Sequence, residues 1–514
     1  MPYPPLKNII CPIFMGALLA LAFAPVNLPG FAVISLGWLF YYLREIPPTP
    51  PFIIGWFYGM GQFGAGVSWI YVSLHTYGQA APWLAGFITL LFVMFMALYC
   101  GFFTQITRRL FLRKNIWIQA FIFSAVWTII EWARSGLFSG FPWLLLGYAQ
   151  TATPLKYAAP LIGTYGLSFI TAFSGCLLAI GFNSIKQARS IKKGIYPIAG
   201  MLLIYTTPTF LQYQQWTTIA PTPVAVSIIQ GNIAENEKWL PGAFQKTLET
   251  YMSLTKEALH SQPSIIIWPE GAIPLPYPHA KSFLNSLSFS LQEENTTLIT
   301  GIPYAAQDKP ENYYNAVMVL GKNSGHYFKR HLVPFGEYIP LKIFQDIIQF
   351  LGINVYETRK GPANQPLLHI GEFSLAPFIC YEIAYTQLLL EALPEAQMLV
   401  TLSDDAWFGR SLARGQHLQI AEMRSLESGR YQIVAANNGI SAIISPQGQI
   451  LHTIPSFKTG ILNGNVYPAS GLTPFAIIGD KSIMALLGIM LIFCLFQKQR
   501  RKNLLKLLKP QALK

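Results

Sequence analysis

Charge is what this chain has least of: Asp, Glu, Lys and Arg make up 11% of its 514 residues, against about 25% in an ordinary soluble domain. A chain so poor in charge cannot clothe itself in hydrated surface, so much of it must face lipid. Acidic residues are nearly missing from one part. Residues 221–468 carry 16 Lys and Arg against 20 Asp and Glu, and the remainder carries 20 against 3. The net charge of +13 therefore lies outside the segment that reads as a globular domain. That excludes a nucleic-acid binder, which would concentrate its basic residues on the folded domain. Cysteines number five, and neither HxxxH nor CxxC spacing occurs, so no metal site is expected and His331 and His417 read as structural. No nucleotide-binding loop is evident, and no cofactor is expected.

Long apolar runs are what fills the rest. A helix needs about 20 mostly apolar residues to cross a bilayer, and candidate spans fall at 7–25, 29–43, 52–74, 82–105, 116–134, 158–181, 195–212 and 474–496. The second is short, and Pro47, Pro48, Pro50 and Pro51 end it. The expected organisation is seven transmembrane helices in 1–215, a globular domain in 220–468, an eighth helix at 474–496 and a basic tail at 497–514. Positive loops stay cytoplasmic. Connections after even-numbered spans hold Arg44, then Arg108, Arg109, Arg113 and Lys114, then Lys186, Arg189, Lys192 and Lys193, and the tail adds Lys498, Arg500, Arg501, Lys502, Lys506 and Lys509. Both termini are thus expected inside and the globular domain outside. Ala22-Phe23-Ala24 resembles a cleavage site, but Pro25 follows it, so the first span is expected to remain as an anchor.

Cys11, Cys100, Cys176 and Cys494 fall within expected spans, where a thiol acts as a small apolar group. Cys380 alone lies in the outer domain. A cysteine without a partner in such a setting reads as a reactive thiol or as an inert buried one. Its surroundings favour reactivity. Three apolar, strand-like runs of that domain end in polar residues: Ser264–Ile267 before Trp268-Pro269-Glu270, Tyr327-Phe328 before Lys329, and Phe373–Ile379 before Cys380-Tyr381-Glu382. A Cys nucleophile needs a base to take its proton and donors for the oxyanion it creates, and a carboxylate with an ammonium can fill those roles.

Trp268-Pro269-Glu270, Lys329 at the head of Lys-Arg-His-Leu-Val-Pro-Phe-Gly-Glu, and Cys380-Tyr381-Glu382 resemble the Glu, Lys and Cys motifs of the nitrilase (carbon–nitrogen hydrolase) superfamily in order and spacing. With spans on both sides, the whole chain resembles the apolipoprotein N-acyltransferase family of bacterial inner membranes. Gln230-Gly231-Asn232 with Trp239, Asp404-Asp405-Ala406-Trp407-Phe408-Gly409, Gln416–Gln419, Asn437-Asn438-Gly439 and Gly140–Leu144 with Trp143 fit as well. One departure is Asp404, where the family more often has Asn. The resemblance implies a multi-pass α-helical membrane domain of about eight spans plus an α/β nitrilase-type α-β-β-α sandwich on the periplasmic side. It also implies Glu270 as general base, Lys329 as stabiliser of thiolate and oxyanion, and Cys380 as nucleophile. An acyl chain would pass from a phospholipid, phosphatidylethanolamine in the family, to a thioester on Cys380, then to the amine of a diacylglyceryl apolipoprotein.

Supporting roles are expected for Glu337, Glu382, Tyr381, Trp239 and Trp143. Glu382 can equally be a plain ion-pair partner, and Trp239 and Tyr381 can equally be packing. The apolar segment Pro340–Ile353, with Phe344, Ile347, Ile348, Phe350 and Leu351, reads either as a lid that dips into lipid or as one face of a packed helix. Two rival functions share parts of this pattern. A membrane-tethered amidase or nitrilase would use the same triad without needing so many spans. A transporter or lipid receptor would carry charges deep in its spans, where Glu131 is the main example.

Overall fold

A computed structural model describes residues 6–45, 49–111, 115–188, 191–240, 242–306, 312–340, 346 and 358–507, without the side chains of 187, 188, 193 and 495–507. The chain divides into two compact units. One is drawn from Met1–Gly66, Leu91–Thr209 and Ile478–Lys514, the other from Val67–Leu90 and Phe210–Ile477.

The first unit is helical. Among the described residues, five helices are long and apolar enough to cross a membrane: Pro82–Phe111, Ile116–Ser139, Pro154–Lys186, Gly194–Tyr213 and Pro474–Cys494. The three apolar runs before them form shorter helices, Lys7–Ala20, Gly30–Arg44 and Pro51–Gly66, of 14, 15 and 16 residues, which is about 21–24 Å of helix. The run at 52–74 is not one helix. It stops at Gly66, after a stretch rich in weakly helix-forming glycine, and Trp69–Val72 begins again in the second unit. Pro47, Pro48, Arg113, Lys114 and Arg189 lie outside the described residues.

Close helix contact in this unit depends on missing side chains. A Cβ on Gly16 would lie 1.9 Å from the Tyr58 carbonyl oxygen, and one on Gly61 would lie 1.9 Å from that of Ile13. Lys7–Ala20 and Pro51–Gly66 therefore meet backbone to backbone, the small-residue packing available to helices in lipid. Between Gly136 and Ala159 the chain leaves the α-helix, and buried backbone there needs other partners. Arg134 Nη1 donates to the carbonyls of Phe141 and Trp143, each at 2.6 Å. Glu131 Oε1 accepts from Leu146 N–H at 3.0 Å and from Trp127 Nε1 at 2.9 Å. Both side chains are 3% exposed. They are tied to the protein's own backbone, which is a structural use of charge.

In the second unit a short pair, β1 (Thr218–Ile219) with β15 (Ala469–Ser470), accompanies two larger sheets. The first sheet contains β2 (Val224–Gln230), β3 (Ile265–Ile267), β4 (Thr297–Ala305), β5 (Tyr313–Gly321), β6 (Gly325–Phe328), β7 (Thr358–Arg359) and β14 (Gly460–Val466). Its order is β14-β2-β3-β4-β5-β6, with β7 beside β5. The second contains β8 (Leu368–Ile370), β9 (Phe373–Ile379), β10 (Met398–Ser403), β11 (Gln432–Ala436), β12 (Ser441–Ile444) and β13 (Ile450–Ile454), in the order β13-β12-β11-β10-β9-β8. β2, β3 and β4 are parallel, as are β9, β10 and β11. Strands buried on both faces read as continuous apolar runs, which is why Ile265–Ile267 shows no alternation.

Side chains of both sheets, among them Val226, Ile228, Ile267, Leu375, Ile379, Val400 and Ile433, form one apolar cluster. A second cluster joins Trp268, Ile266 and Leu298 to Leu284 and Leu287 of helix Tyr277–Glu293 and to Leu248 of helix Ala243–Leu259. Helix Ala413–Ser428, almost wholly buried, packs on β11. The result is the expected α-β-β-α sandwich, and each sheet brings three parallel strand ends to one edge, where such folds place their chemistry.

Replacing Arg134 by Leu would leave two buried carbonyls without donors and Glu131 without its cationic neighbour. Thermal unfolding in detergent should show a loss of about 2–4 kcal/mol, and an unchanged midpoint would remove the clamp from the account.

Candidate active site

Glu270, Lys329 and Cys380 each stand just past the end of a strand, β3, β6 and β9 respectively. The turn leading to Glu270 is anchored by Trp268, fully buried, whose Nε1 donates to Thr255 Oγ1 at 3.0 Å. Lys329 is fixed at both backbone ends: its N–H donates to the Asn315 carbonyl at 2.9 Å, and its own carbonyl accepts from Gly361 N–H at 2.7 Å. Its side chain is 1% exposed, and Nζ lies 2.8 Å from Glu337 Oε1 and 3.5 Å from Glu270 Oε1.

Asn315, the third residue of β5, completes this arrangement. Its Nδ2 donates to Glu270 Oε1 at 2.7 Å and to Glu337 Oε1 at 3.0 Å. The second oxygens are also occupied: Glu270 Oε2 accepts from Asp404 N–H at 2.8 Å and Glu337 Oε2 from Val333 N–H at 2.7 Å. Burial works to discharge Lys329, but Glu337 and Glu270 outweigh it and hold the ammonium well above the ordinary lysine range. It stays a cation.

Cys380 is partly accessible, and its φ of +52° is a left-handed conformation that costs a non-glycine residue about 1–2 kcal/mol. Bonds on both sides hold it there. Ile379 N–H donates to Glu382 Oε2 at 2.8 Å, and the Cys380 carbonyl meets His417 Nε2 at 3.1 Å. His417 Nδ1 faces Asp405 Oδ1 at 3.0 Å; burial opposes the imidazolium, but Asp405 outweighs it and raises the histidine above its ordinary value. Around the thiol itself, desolvation and then the Glu270 charge push the Cys380 pKa well above its ordinary value, with Lys329 opposing them. A neutral resting thiol beside a carboxylate and an ammonium can act only if its proton leaves as it attacks. This is an arrangement for base-assisted nucleophilic attack with a cation ready for the oxyanion.

Glu382 is fully buried. Its Oε1 accepts from Arg330 N–H at 2.5 Å, His331 N–H at 3.1 Å and Tyr327 Oη–H at 3.1 Å, while Oε2 takes the Ile379 N–H. One carboxyl thus ties the strand end carrying Lys329 to the strand end carrying Cys380. Burial pushes it up to about 7, with the backbone N–H groups opposing.

The other expected residues differ in exposure. Tyr381 is buried and meets Tyr385 edge-on at 5.2 Å. Trp239 is 55% exposed, and its Nε1 donates to Glu235 Oε1 at 2.9 Å, so of the three expected aromatics it is the one left exposed. Trp143 belongs to the first unit, where it is buried and stacked on Phe141. His331 stacks on Tyr385 at 4.0 Å. Of Pro340–Ile353, Phe344, Ile347, Ile348, Phe350 and Leu351 lie outside the described residues. Sequence reasoning missed Asn315, which sits inside a strand with no motif around it, and Lys238, whose signal was its place beside Trp239.

Comparison with known proteins accounts for both units. Residues 15–177 match the family described as apolipoprotein N-acyltransferase N-terminal domain, and residues 225–470 match carbon-nitrogen hydrolase. The chain is 38% identical over 493 residues to an apolipoprotein N-acyltransferase of Pseudomonas aeruginosa (strain UCBPP-PA14), covering 95% of each. Proteins of the same name from Coxiella burnetii and Methylococcus capsulatus are 40% and 35% identical over 493 and 500 residues, which is 95% and 97% of this chain and 99% and 98% of theirs.

Glu382→Gln would set an amide nitrogen among donors and should destabilise the fold by about 1–3 kcal/mol. The pH dependence gives a second readout. The folded carboxyl keeps its proton to about 7, against an ordinary value of 4.5, so the stability it contributes is full below 4.5 and declines as pH rises to about 7. The gap between wild type and variant should therefore narrow across that window in thermal unfolding; parallel curves would contradict the assignment.

Proposed function

The chain belongs to the apolipoprotein N-acyltransferase family, and from that premise we propose a thioester route by which it acylates the amino terminus of apolipoproteins at the inner membrane. The observation that carries this reading is the meeting of Glu270, Lys329 and Glu337, within electrostatic reach of the Cys380 thiol. In the first half-reaction Glu270 accepts the thiol proton as Cys380 Sγ attacks an acyl ester of a phospholipid. Lys329 Nζ stabilises the oxyanion, the ester C–O bond breaks, and the proton passes to the departing lysophospholipid. In the second, the free amine of a diacylglyceryl-cysteine attacks the thioester and loses a proton to Glu270, an amide forms, and the C–S bond breaks to regenerate the thiol. Thioester to amide is downhill, so no nucleotide is consumed.

Phosphatidylethanolamine is the proposed donor. The proposed topology has eight crossings, the five long helices plus Lys7–Ala20, Gly30–Arg44 and Pro51–Gly66, with both termini cytoplasmic and residues 220–468 periplasmic. The basic residues of the even-numbered connections support that orientation. Drawing an acyl chain out of lipid costs about 0.8 kcal/mol per methylene, a reason for such a catalyst to remain in the bilayer. A tethered amidase would use the same triad but would leave the match over residues 15–177 without a task.

Full-length protein given phospholipid labelled in its acyl chain should carry the label on Cys380, and a diacylated lipopeptide should discharge it into amide. Cys380→Ala should abolish labelling. Glu270→Gln and Lys329→Met should each slow it by at least about 100-fold while still inserting into membranes. Label retained in Cys380→Ala, or normal turnover in either other variant, would remove that residue from its role.

A further inference from the structure

Behind Glu270 lies a second buried charge cluster that the acyl-transfer steps do not use. Lys238, 3% exposed, ends the short helix Glu235–Lys238. Its Nζ lies 2.5 Å from Asp404 Oδ2, 3.5 Å from the Glu270 carbonyl oxygen and 4.0 Å from Glu235 Oε2. Asp404 Oδ1 accepts from the Asn437 amide at 3.1 Å and from Ala406 N–H at 3.2 Å, capping the turn Asp405–Phe408. The Asp404 N–H is the donor aimed at Glu270 Oε2. Glu235, 9% exposed, receives Trp239 Nε1 on Oε1; among the described residues no N–H or O–H reaches its Oε2, and its carboxyl faces that of Asp404.

Two carboxyls and one ammonium thus share a largely buried space. Lys238 contacts Asp404 directly and Glu235 only at the limit of an ion pair, so Asp404 is the carboxylate that the ammonium neutralises. Glu235 is left with a buried oxygen that nothing donates to, a place for a protonated carboxyl. We propose that the Lys238–Asp404 pair is a positioning clamp that holds the Asp404 N–H on Glu270, and that the clamp stays closed only while Glu235 is protonated. The inference rests on the reading of Glu270 as the base.

The electrostatics agree with the geometry. Burial and then the Asp404 charge raise the Glu235 carboxyl to about 8, with Lys238 opposing; Asp404, despite its own burial, is held below its ordinary range by Lys238. Once ionised, Glu235 competes with Asp404 for Lys238, and the loop that delivers the N–H loosens. The other titratable groups facing the cluster are Tyr251, neutral and raised further by burial and Asp404, then Arg414, Asp405 with its partner His417, and Glu270. Glu235→Gln imitates the protonated carboxyl, keeps an oxygen for Trp239 Nε1, and leaves those other titrations in place.

The test is single-turnover acylation of the full chain in lipid nanodiscs, read as lysophospholipid released from pH 6 to 10 with no amine acceptor present. The wild-type rate should fall away from that of Glu235→Gln above pH of about 8, reaching about a tenfold difference one unit further on. Lys238→Met should slow acylation at every pH. Adding Asp404→Asn to it should recover part of the loss, because Asn restores the loop's hydrogen bonds without an unpaired buried charge. Superimposable profiles for wild type and Glu235→Gln, or a wild-type rate in Lys238→Met, would overturn the clamp. Glu270→Gln run alongside separates the two readings. Acylation surviving in it defeats the base assignment, whereas its loss together with unaltered cluster profiles defeats the clamp alone.

Discussion

A buried ammonium is the constraint on which this site depends. Lys329, 1% exposed, can remain charged only because Glu337 and Glu270 stand beside it. Those carboxylates stay in register only because Asn315 bridges them and backbone N–H groups fill their second oxygens. Removing one member of such a set leaves an uncompensated charge in a medium that cannot solvate it. The site is therefore one connected object, assembled from the ends of β3, β6 and β9 and from the first residues of β5. Glu382 extends the connection, since a single carboxyl holds the backbone beside both Lys329 and Cys380.

The same rule governs the lipid-facing unit with a different outcome. Only 3 acidic residues lie outside 221–468, and Glu131, buried in a helix, is spent on the N–H of Leu146 while Arg134 serves the carbonyls of Phe141 and Trp143. In one unit buried charge orders a candidate reacting centre; in the other it replaces helical hydrogen bonds that an irregular segment gives up.

Much of this was legible in the sequence, for identifiable reasons. Apolar runs ending in a polar residue marked Glu270, Lys329 and Cys380 because each stands just past the end of a strand, two in one sheet and one in the other, so local patterns report places where such folds gather chemistry. Hydropathy found the long helices because lipid tolerates few charges. It did not show that the run at 52–74 breaks at Gly66, since apolar residues continue on both sides of the break. Asn315 left no trace either: its role comes from antiparallel pairing of β5 with β4 and β6, a long-range register with no sequence period. Asp404 stood out only as a departure from the family pattern, and Lys238 and Glu235 carried no motif of their own, because burial and pairing at a separation of 166 residues are tertiary facts.

The environment of Cys380 also answers a difficulty raised by its proposed compartment. Outside the cytoplasm an unpaired thiol is exposed to oxidation, and the thiolate is the form that oxidants and disulfides attack. An enzyme that activated its nucleophile by lowering the thiol pKa would keep that form present all the time. Here burial and Glu270 do the opposite and push the thiol pKa up, so on the proposed route nucleophilic character arises only when a base removes the proton with an ester in place. Cys380 remains partly accessible in its left-handed turn, and on the proposed route the buried ammonium favours the charged products of attack. On that route, a preference for the neutral thiol combined with a neighbouring base and cation lets one residue resist oxidants at rest and still attack an acyl ester.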